Sequence, residues 1–150
     1  MELDNLLEIS ILASVQAGKK IMEIYNTDFS VEYKNDSSPL TVADKGANDI
    51  ISEFLKSTEY PILIEEGKQI AFAEREHWPV FWMVDPLDGT KEFVKKNGEF
   101  TVNIAFMQGH YPVFGIIYVP VSGELYFGGK NYGSFKLKDS HETLNSYEAY

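Results

Sequence analysis

The run WMVDPLDGTKEF, residues 82–93, sets an apolar strand directly against an acidic turn. Phe81, Trp82, Met83 and Val84 form a continuous apolar run typical of a buried strand, and Asp85, Pro86, Leu87, Asp88, Gly89 and Thr90 then break it with turn chemistry. Pro86 presets φ near about −65°, so the turn can aim the Asp85 and Asp88 carboxylates and the Leu87 carbonyl into one small volume. Oxygen donors gathered in this way suit a hard divalent cation. Gly89 lets the backbone come close to a ligand, and the Gly89 and Thr90 amides can face a phosphate oxygen. Asp-Pro and Asp-Gly pairs alone are ordinary turn formers. Two acids, a proline, a glycine and a hydroxyl within six consecutive positions after an apolar strand point further, to a metal site serving phosphate chemistry.

Upstream, the pattern of acids following a strand recurs. Ile62, Leu63 and Ile64 read as a short buried strand delivering Glu65 and Glu66, with Gly67 behind them. Before it, Thr41 and Asp44 stand three apart at the head of a helix whose apolar face is Ala47, Ile50, Ile51, Phe54 and Leu55, a capping box with Asp in place of the usual Glu or Gln. The cap explains Asp44 without any catalytic role. The first segment is a long amphipathic helix: Leu3, Leu7, Ile11, Val15, Gly18, Met22 and Tyr25 recur at three- and four-residue intervals, with Leu6 and Ile21 widening the stripe and Ser14 its one polar member. Residues 31–34 make a short strand, 35–39 a polar loop and 68–79 an irregular surface excursion.

Downstream the period changes to two. Residues 100–107, 113–119, 125–128 and 134–137 read as strands joined by Gln108-Gly109-His110, Ser122-Gly123 and Asn131-Tyr132-Gly133 turns, an antiparallel meander. The expected fold is therefore α+β, two helices layered on a mostly antiparallel sheet with the acids gathered at one edge. Residues 1–137 form this domain, and residues 138–150, polar and without a clear period, form a tail or the start of a linker.

Composition narrows the function. With 150 residues and 44% hydrophobic content, the chain can build one core burying about two-thirds of its unfolded surface. A formal charge of −10 argues against a broad basic face for a nucleic-acid polymer or an anionic membrane. A small anionic substrate would need metal ions to meet it. The absence of cysteine removes disulfides, thiolate metal sites and cysteine nucleophiles, leaving oxygen ligands that favour Mg²⁺ or Mn²⁺. Glu2 and Asp4 stand where a signal peptide carries basic residues, and no apolar run approaches the ~18 residues of a membrane span, so a cytoplasmic protein is expected. His77, His110 and His141 have no ligand spacing, and Trp82, Tyr111, Tyr118 and Tyr126 read as core and sheet residues.

Taken together, these residues resemble the magnesium-dependent, lithium-sensitive phosphatases of the inositol monophosphatase superfamily. Asp85-Pro86-Leu87-Asp88-Gly89-Thr90 fits its signature, Glu65-Glu66 its upstream acidic pair, and Lys34 with Ser38-Pro39-Leu40-Thr41-Val42-Ala43-Asp44 its N-terminal segment. Lys91-Glu92-Phe93 and the continuation Lys96-Asn97-Gly98-Glu99-Phe100-Thr101-Val102-Asn103-Ile104-Ala105 look most like the bacterial CysQ-type 3'(2'),5'-bisphosphate nucleotidases. The resemblance implies the N-terminal half of the sugar-phosphatase α/β/α/β/α sandwich. It makes Glu65, Asp85 and the Leu87 carbonyl ligands of one Mg²⁺, and Asp85 and Asp88 holders of a second. It makes Asp44, Thr90 and Glu65 the catalytic residues, with Thr90 positioning the attacking water under the orientation of Asp44, and gives the substrate phosphate to the Gly89 and Thr90 amides. The implied reaction is hydrolysis of the 3'-phosphate of adenosine 3',5'-bisphosphate. An inositol or sugar phosphate is the alternative substrate, and a catalytically dead metal- or partner-binding domain the alternative of another class.

Two departures accompany the resemblance. The superfamily's third acidic motif, a Trp-Asp pair followed by small residues, has no counterpart here. The expectation is an incomplete enzyme, inactive or severely impaired alone, that self-associates or pairs with a missing C-terminal domain. In addition, Ile64 replaces the small residue that usually precedes the acidic pair, and could crowd the loop.

Overall fold

A computed structural model describes residues 2–36 and 39–138; Ser38 and nearly all of the expected tail lie outside the described residues. The chain runs α1 (Leu3–Tyr25), β1 (Val31–Tyr33), β2 (Pro39–Thr41), α2 (Val42–Lys56), β3 (Ile62–Ile64), α3 (Phe72–Arg75), β4 (Val80–Asp88), α4 (Thr90–Val94), β5 (Thr101–Gln108), β6 (Tyr111–Val119), β7 (Glu124–Gly129) and β8 (Gly133–Leu137). The last six strands form one sheet in sequence order, β3-β4-β5-β6-β7-β8, in which, among the described residues, only the β3–β4 pair is parallel. This is the expected α+β layer. Among the described residues no helix is long and apolar enough to cross a membrane.

Alternation in the strands produces two unlike faces. Trp82, Val84, Val102, Ile104, Phe106, Phe114, Ile116, Tyr118 and Leu125 are buried on one side, where α2 packs on β4 and α1 on β5 and β6. Trp82 is fully enclosed, its ring tilted against Phe106, and its indole N–H donates to the Thr58 hydroxyl at 2.9 Å. The intervening residues, among them Met83, Ala105, Gly115, Ile117 and Tyr126, face the other way and have no covering layer among the described residues.

The buried face of α1 differs from the expected stripe. Leu3 is exposed, while Ser10, Ala13 and Ala17 join Leu6, Ser14, Val15, Gly18 and Ile21 inside. Close packing explains the change, since a Cβ at Gly18 would stand 2.2 Å from the Tyr118 ring. Small residues let α1 approach the sheet. Ser10 and Ser14 are tolerated there because each hydroxyl donates to the carbonyl three residues back, Leu7 and Ile11, at 2.8 Å.

Other expectations need local correction. The loop expected over 35–39 ends in a strand, because Pro39 opens β2 and pairs with Tyr33 across the small β1–β2 ribbon. Residues 68–79 contain one helical turn, α3. Tyr111 is 78% exposed, a sheet residue but not a core one. Most consequential, β4 does not stop at Val84. Pairing with β5 continues at Asp85↔Asn103 and resumes at Asp88↔Thr101, with a register shift between them. A proline, which cannot donate to a ladder, is accommodated at that irregularity.

Candidate functional site

The parallel pairing of β3 with β4 matches Ile64 to Val84, and the Glu65 amide donates to the Val84 carbonyl at 3.1 Å. Glu65, just past the end of β3, and Asp85, within β4, are each one residue further along and therefore stand side by side. The Leu87 amide donates to Asp85 Oδ1 at 3.2 Å, an Asx turn inside the bulge, and Asp88 lies just beyond. Gly89 has φ +91°, and a Cβ there would lie 2.8 Å from the Glu99 carbonyl oxygen, so both conformation and space require glycine. The chain then turns into α4, whose buried Phe93 is tilted against Tyr25 and Phe29 and meets Phe100 edge to face. Lys96 closes this aromatic cluster: its ammonium lies over the Tyr25 and Phe29 rings and donates to the Tyr25 and Thr27 carbonyls. The turn is thus anchored to the core on both sides.

Asp44 is fully buried and uses both carboxylate oxygens. Oδ2 accepts from the Thr41 amide at 2.7 Å and the Thr41 hydroxyl at 2.6 Å, while Thr41 Oγ1 accepts from the Ala43 amide at 3.2 Å, completing the capping box. Oδ1 accepts from the Thr90 hydroxyl at 2.8 Å. Capping and orienting Thr90 are simultaneous roles. The Thr90 hydroxyl also lies 3.2 Å from the Leu87 carbonyl oxygen, but its single proton favours the shorter, charge-assisted bond to Asp44.

Lys34, Glu65, Asp85, Leu87, Asp88, Gly89 and Thr90 line a cleft of about 210 Å³ together with Pro39, Lys91 and Glu92. A larger trough, about 870 Å³, runs over the open sheet face and reaches Glu65, Asp85 and Asn103 at one end. The smaller cleft is the one that gathers the expected oxygen donors. Ile64 does not obstruct it, because its side chain lies over Gly67, where a Cβ would meet Ile64 Cγ2 at 2.2 Å.

Electrostatics tests whether a cation suits these donors. The Asp85 carboxyl is pushed up to about 7, chiefly by burial, then by the negative charges of Glu65 and Asp88 and a hydrogen bond shared with Glu65; the Leu87 amide pulls weakly the other way. Carboxylates crowded enough to hold a proton near neutrality are short of positive charge. Their donors are all hard oxygens, so the residues present fit Mg²⁺ or Mn²⁺. They are not a finished cage: among the described residues no three acidic or histidine side chains converge as metal ligands. Glu65 is drawn towards Lys34 at 3.4 Å, and Asp88 Oδ2 accepts from the Asn103 amide at 2.9 Å.

Two further contributors carry no site role in the sequence reading. Asn103 pairs across the ladder with Asp85, and its signal is a second polar residue, two past Thr101, on one face of a strand whose other face, Val102, Ile104 and Phe106, is apolar. Lys34 bonds Glu66 Oε1 at 2.5 Å and places its ammonium at the cleft wall. That pairing spans 32 residues and no local pattern announces it.

A family profile described as the inositol monophosphatase family matches residues 2–147. The chain is 46% identical over 118 residues to the 3'(2'),5'-bisphosphate nucleotidase CysQ of Salmonella typhimurium, covering 76% of this chain and 48% of that protein. The crystal structure of CysQ from Bacteroides thetaiotaomicron, a bacterial member of the inositol monophosphatase family, superposes with a TM-score of 0.81 at 47% identity, over 91% of this chain and 50% of that one. An inositol monophosphatase/NADP phosphatase solved with Mg²⁺ and phosphate shares the fold, with a TM-score of 0.68 at 23% identity over 81% of this chain and 46% of that one. The chain spans about half the length of the curated relatives it matches.

Proposed function

The chain belongs to the inositol monophosphatase family, and on that premise we propose that it forms the metal-binding half of a phosphomonoesterase acting on the 3'-phosphate of adenosine 3',5'-bisphosphate. The observation that carries this reading is the adjacency of Glu65, just past the end of β3, and Asp85, beside it in the parallel β4, with the Leu87 carbonyl, Asp88 and the Asp44–Thr90 bond next to them. Glu65, Asp85 and the Leu87 carbonyl would hold one Mg²⁺ or Mn²⁺, and Asp85 and Asp88 a second. Bound there, such ions supply Lewis acidity towards water and phosphate and neutralise charge at phosphorus.

The protein's own residues bind and orient. Asp44, fixed by Thr41, leaves Oδ1 as the acceptor for Thr90, so the Thr90 hydroxyl oxygen keeps its lone pairs for a proton of the attacking water. The carboxylate holds that hydroxyl in one rotamer before substrate arrives. The Gly89 and Thr90 amides supply donors to the phosphate at a position where glycine admits close approach. Asn103 steadies Asp88 from the neighbouring strand, and the Thr101 hydroxyl donates to Asn103 Oδ1 at 3.1 Å.

Substrate choice rests on the likeness to CysQ proteins, with an inositol or sugar phosphate as the competing substrate class. Phosphate release from adenosine 3',5'-bisphosphate and from inositol 1-phosphate, measured with Mg²⁺ in a protein spanning the relatives' full length, separates them; preference for the inositol ester would refute the nucleotidase reading. The 150-residue chain by itself is expected to turn over either substrate poorly. Its open sheet face supports pairing with a further domain, and a cytoplasmic location is part of the same proposal.

A further inference from the structure

Lys34 leaves the end of β1 and reaches the acids that follow β3. Its ammonium bonds Glu66 Oε1 at 2.5 Å and stands 3.4 Å from Glu65 Oε1. The two carboxylates are unequal: the Glu66 side chain is 10% exposed and the Glu65 side chain 55%. The pair with Glu66 is short and shielded, while the contact with Glu65 is long and open to solvent. Lys91 also lines the cleft, but among the described residues it forms no ion pair with these acids, whereas Lys34 bridges both.

We propose that Lys34 is a resident counter-cation of the acidic cleft, anchored on Glu66 and shared with Glu65, which a divalent ion must displace from Glu65 in order to bind. This inference rests on the reading of Glu65 as a metal ligand. Ammonium and metal compete for one carboxylate, so Lys34 lowers divalent-ion affinity and keeps the ion exchangeable. Glu66 is a positioning residue, because it retains the ammonium when Glu65 is surrendered. Without Glu66, the ammonium has only Glu65 as a close carboxylate partner. The size of the effect follows from a unit positive charge held within a few ångströms of the ion: about tenfold in the dissociation constant, or ~1.4 kcal/mol.

Calorimetric titration of Mn²⁺ into the full 150-residue chain tests this, with circular dichroism confirming that each variant is folded. Lys34→Met is expected to tighten Mn²⁺ binding about tenfold, and Lys34→Arg, which keeps the charge, to restore weaker binding. Glu66→Gln is expected to weaken binding more in the wild-type background than in Lys34→Met, because only in the former is an ammonium transferred to Glu65. A purely through-space charge effect gives the same Glu66→Gln cost in both backgrounds and overturns the proposal. Weaker or unchanged binding by Lys34→Met overturns it too, while leaving the cation site standing. Absence of Mn²⁺ binding by the wild-type chain refutes the metal reading and takes this inference with it.

Discussion

The two faces of the six-stranded sheet are drawn from alternate residues of the same strands, yet they differ in nearly every physical respect. On one face Trp82 and Phe106 lie at the centre of an aromatic core closed by α1 and α2. On the other, Met83 and Ile117 are 43% and 48% exposed, and the cross-strand row Ala105, Gly115, Gly128 is nearly without side chains. The covered face supplies the hydrophobic free energy of folding. The open face contributes little to it, and the candidate site lies at its end, where Asp85 and Asn103 continue the row of outward-facing residues. A fold held from one side can leave charged donors crowded on the other.

The largest expected effect tests that division with adjacent residues. Trp82→Ala should cost about 3–5 kcal/mol, as a large buried aromatic does, and it also removes the donor to the Thr58 hydroxyl. Met83→Ala, one residue along and on the open face, should cost under about 1 kcal/mol. Urea denaturation of both variants provides the comparison. Similar losses would mean that the open face is part of the folding core.

Asp44 is where the two regions meet, since it belongs to the covered α2 and reaches the site through Thr90. Asp44→Ala removes the acceptor for three hydrogen bonds and should destabilise by about 2 kcal/mol, within the range for a lost cap. Thr90→Val breaks only the bond that faces the site; it leaves Asp44 Oδ1 without its donor, but because that bond is only part-buried it should cost about 1 kcal/mol, the low end for an acceptor left unpaired. If Thr90→Val proved as costly as Asp44→Ala, the hydroxyl would be a structural member and not a poised one.

A third prediction concerns pH. The Asp85 carboxyl lies near 7 in the folded chain against an ordinary value of 3.8. Between these values the unfolded chain ionises this group while the folded one keeps its proton, so the folded state binds more protons and stability falls as pH rises. The contribution of Asp85 is therefore fully present below about pH 4 and lost as pH passes through about 7. In chelator, the melting temperature of the wild-type chain should fall more steeply over this window than that of Asp85→Asn. Mg²⁺ binds the ionised form, so the rise it causes should be larger at pH 8 than at pH 6 and largely absent in Asp85→Asn. Equal Mg²⁺ shifts in the two proteins would remove Asp85 from the metal site.

Much of this division was legible in the sequence, for particular reasons. The strand pattern over 100–107 and 113–119 announced the meander, and the Thr41–Asp44 spacing announced the start of α2, because both signals are local. The reach of β4 through Pro86 to Asp88 was not legible. A proline and two acids look like the end of a strand, and only the partner β5 shows that pairing resumes at Thr101. For α1 the apolar period was visible, but the face actually buried was shifted towards Ser10, Ala13 and Ala17, because contact with Tyr118 rewards small residues that a hydrophobicity pattern undervalues. At the site, the residues of the 85–90 turn were found together. Lys34 and Asn103 were not, since each meets its carboxylate only through tertiary pairing.

The smallest effect on stability should come from the centre of the open face. Ile117 sits on β6 opposite Asn103 and Tyr126, about half exposed, so replacing it with Thr keeps the β-branched shape that a strand favours and alters little buried area. Ile117→Thr should change unfolding free energy by no more than about 0.5 kcal/mol. Its effect on association should be larger, because a contiguous apolar surface of Met83, Ile117 and Tyr126 resembles surfaces that seek a partner. Sedimentation velocity over a concentration series should show wild-type self-association that Met83→Thr/Ile117→Thr reduces. A variant that unfolds as the wild type does and yet stays monomeric would assign this face to partner contact, with the core confined to the side under α1 and α2. Equal association of both proteins would leave the exposed apolar row as a bare surface and dissolve the contrast between the faces at the level of interaction, although not of folding.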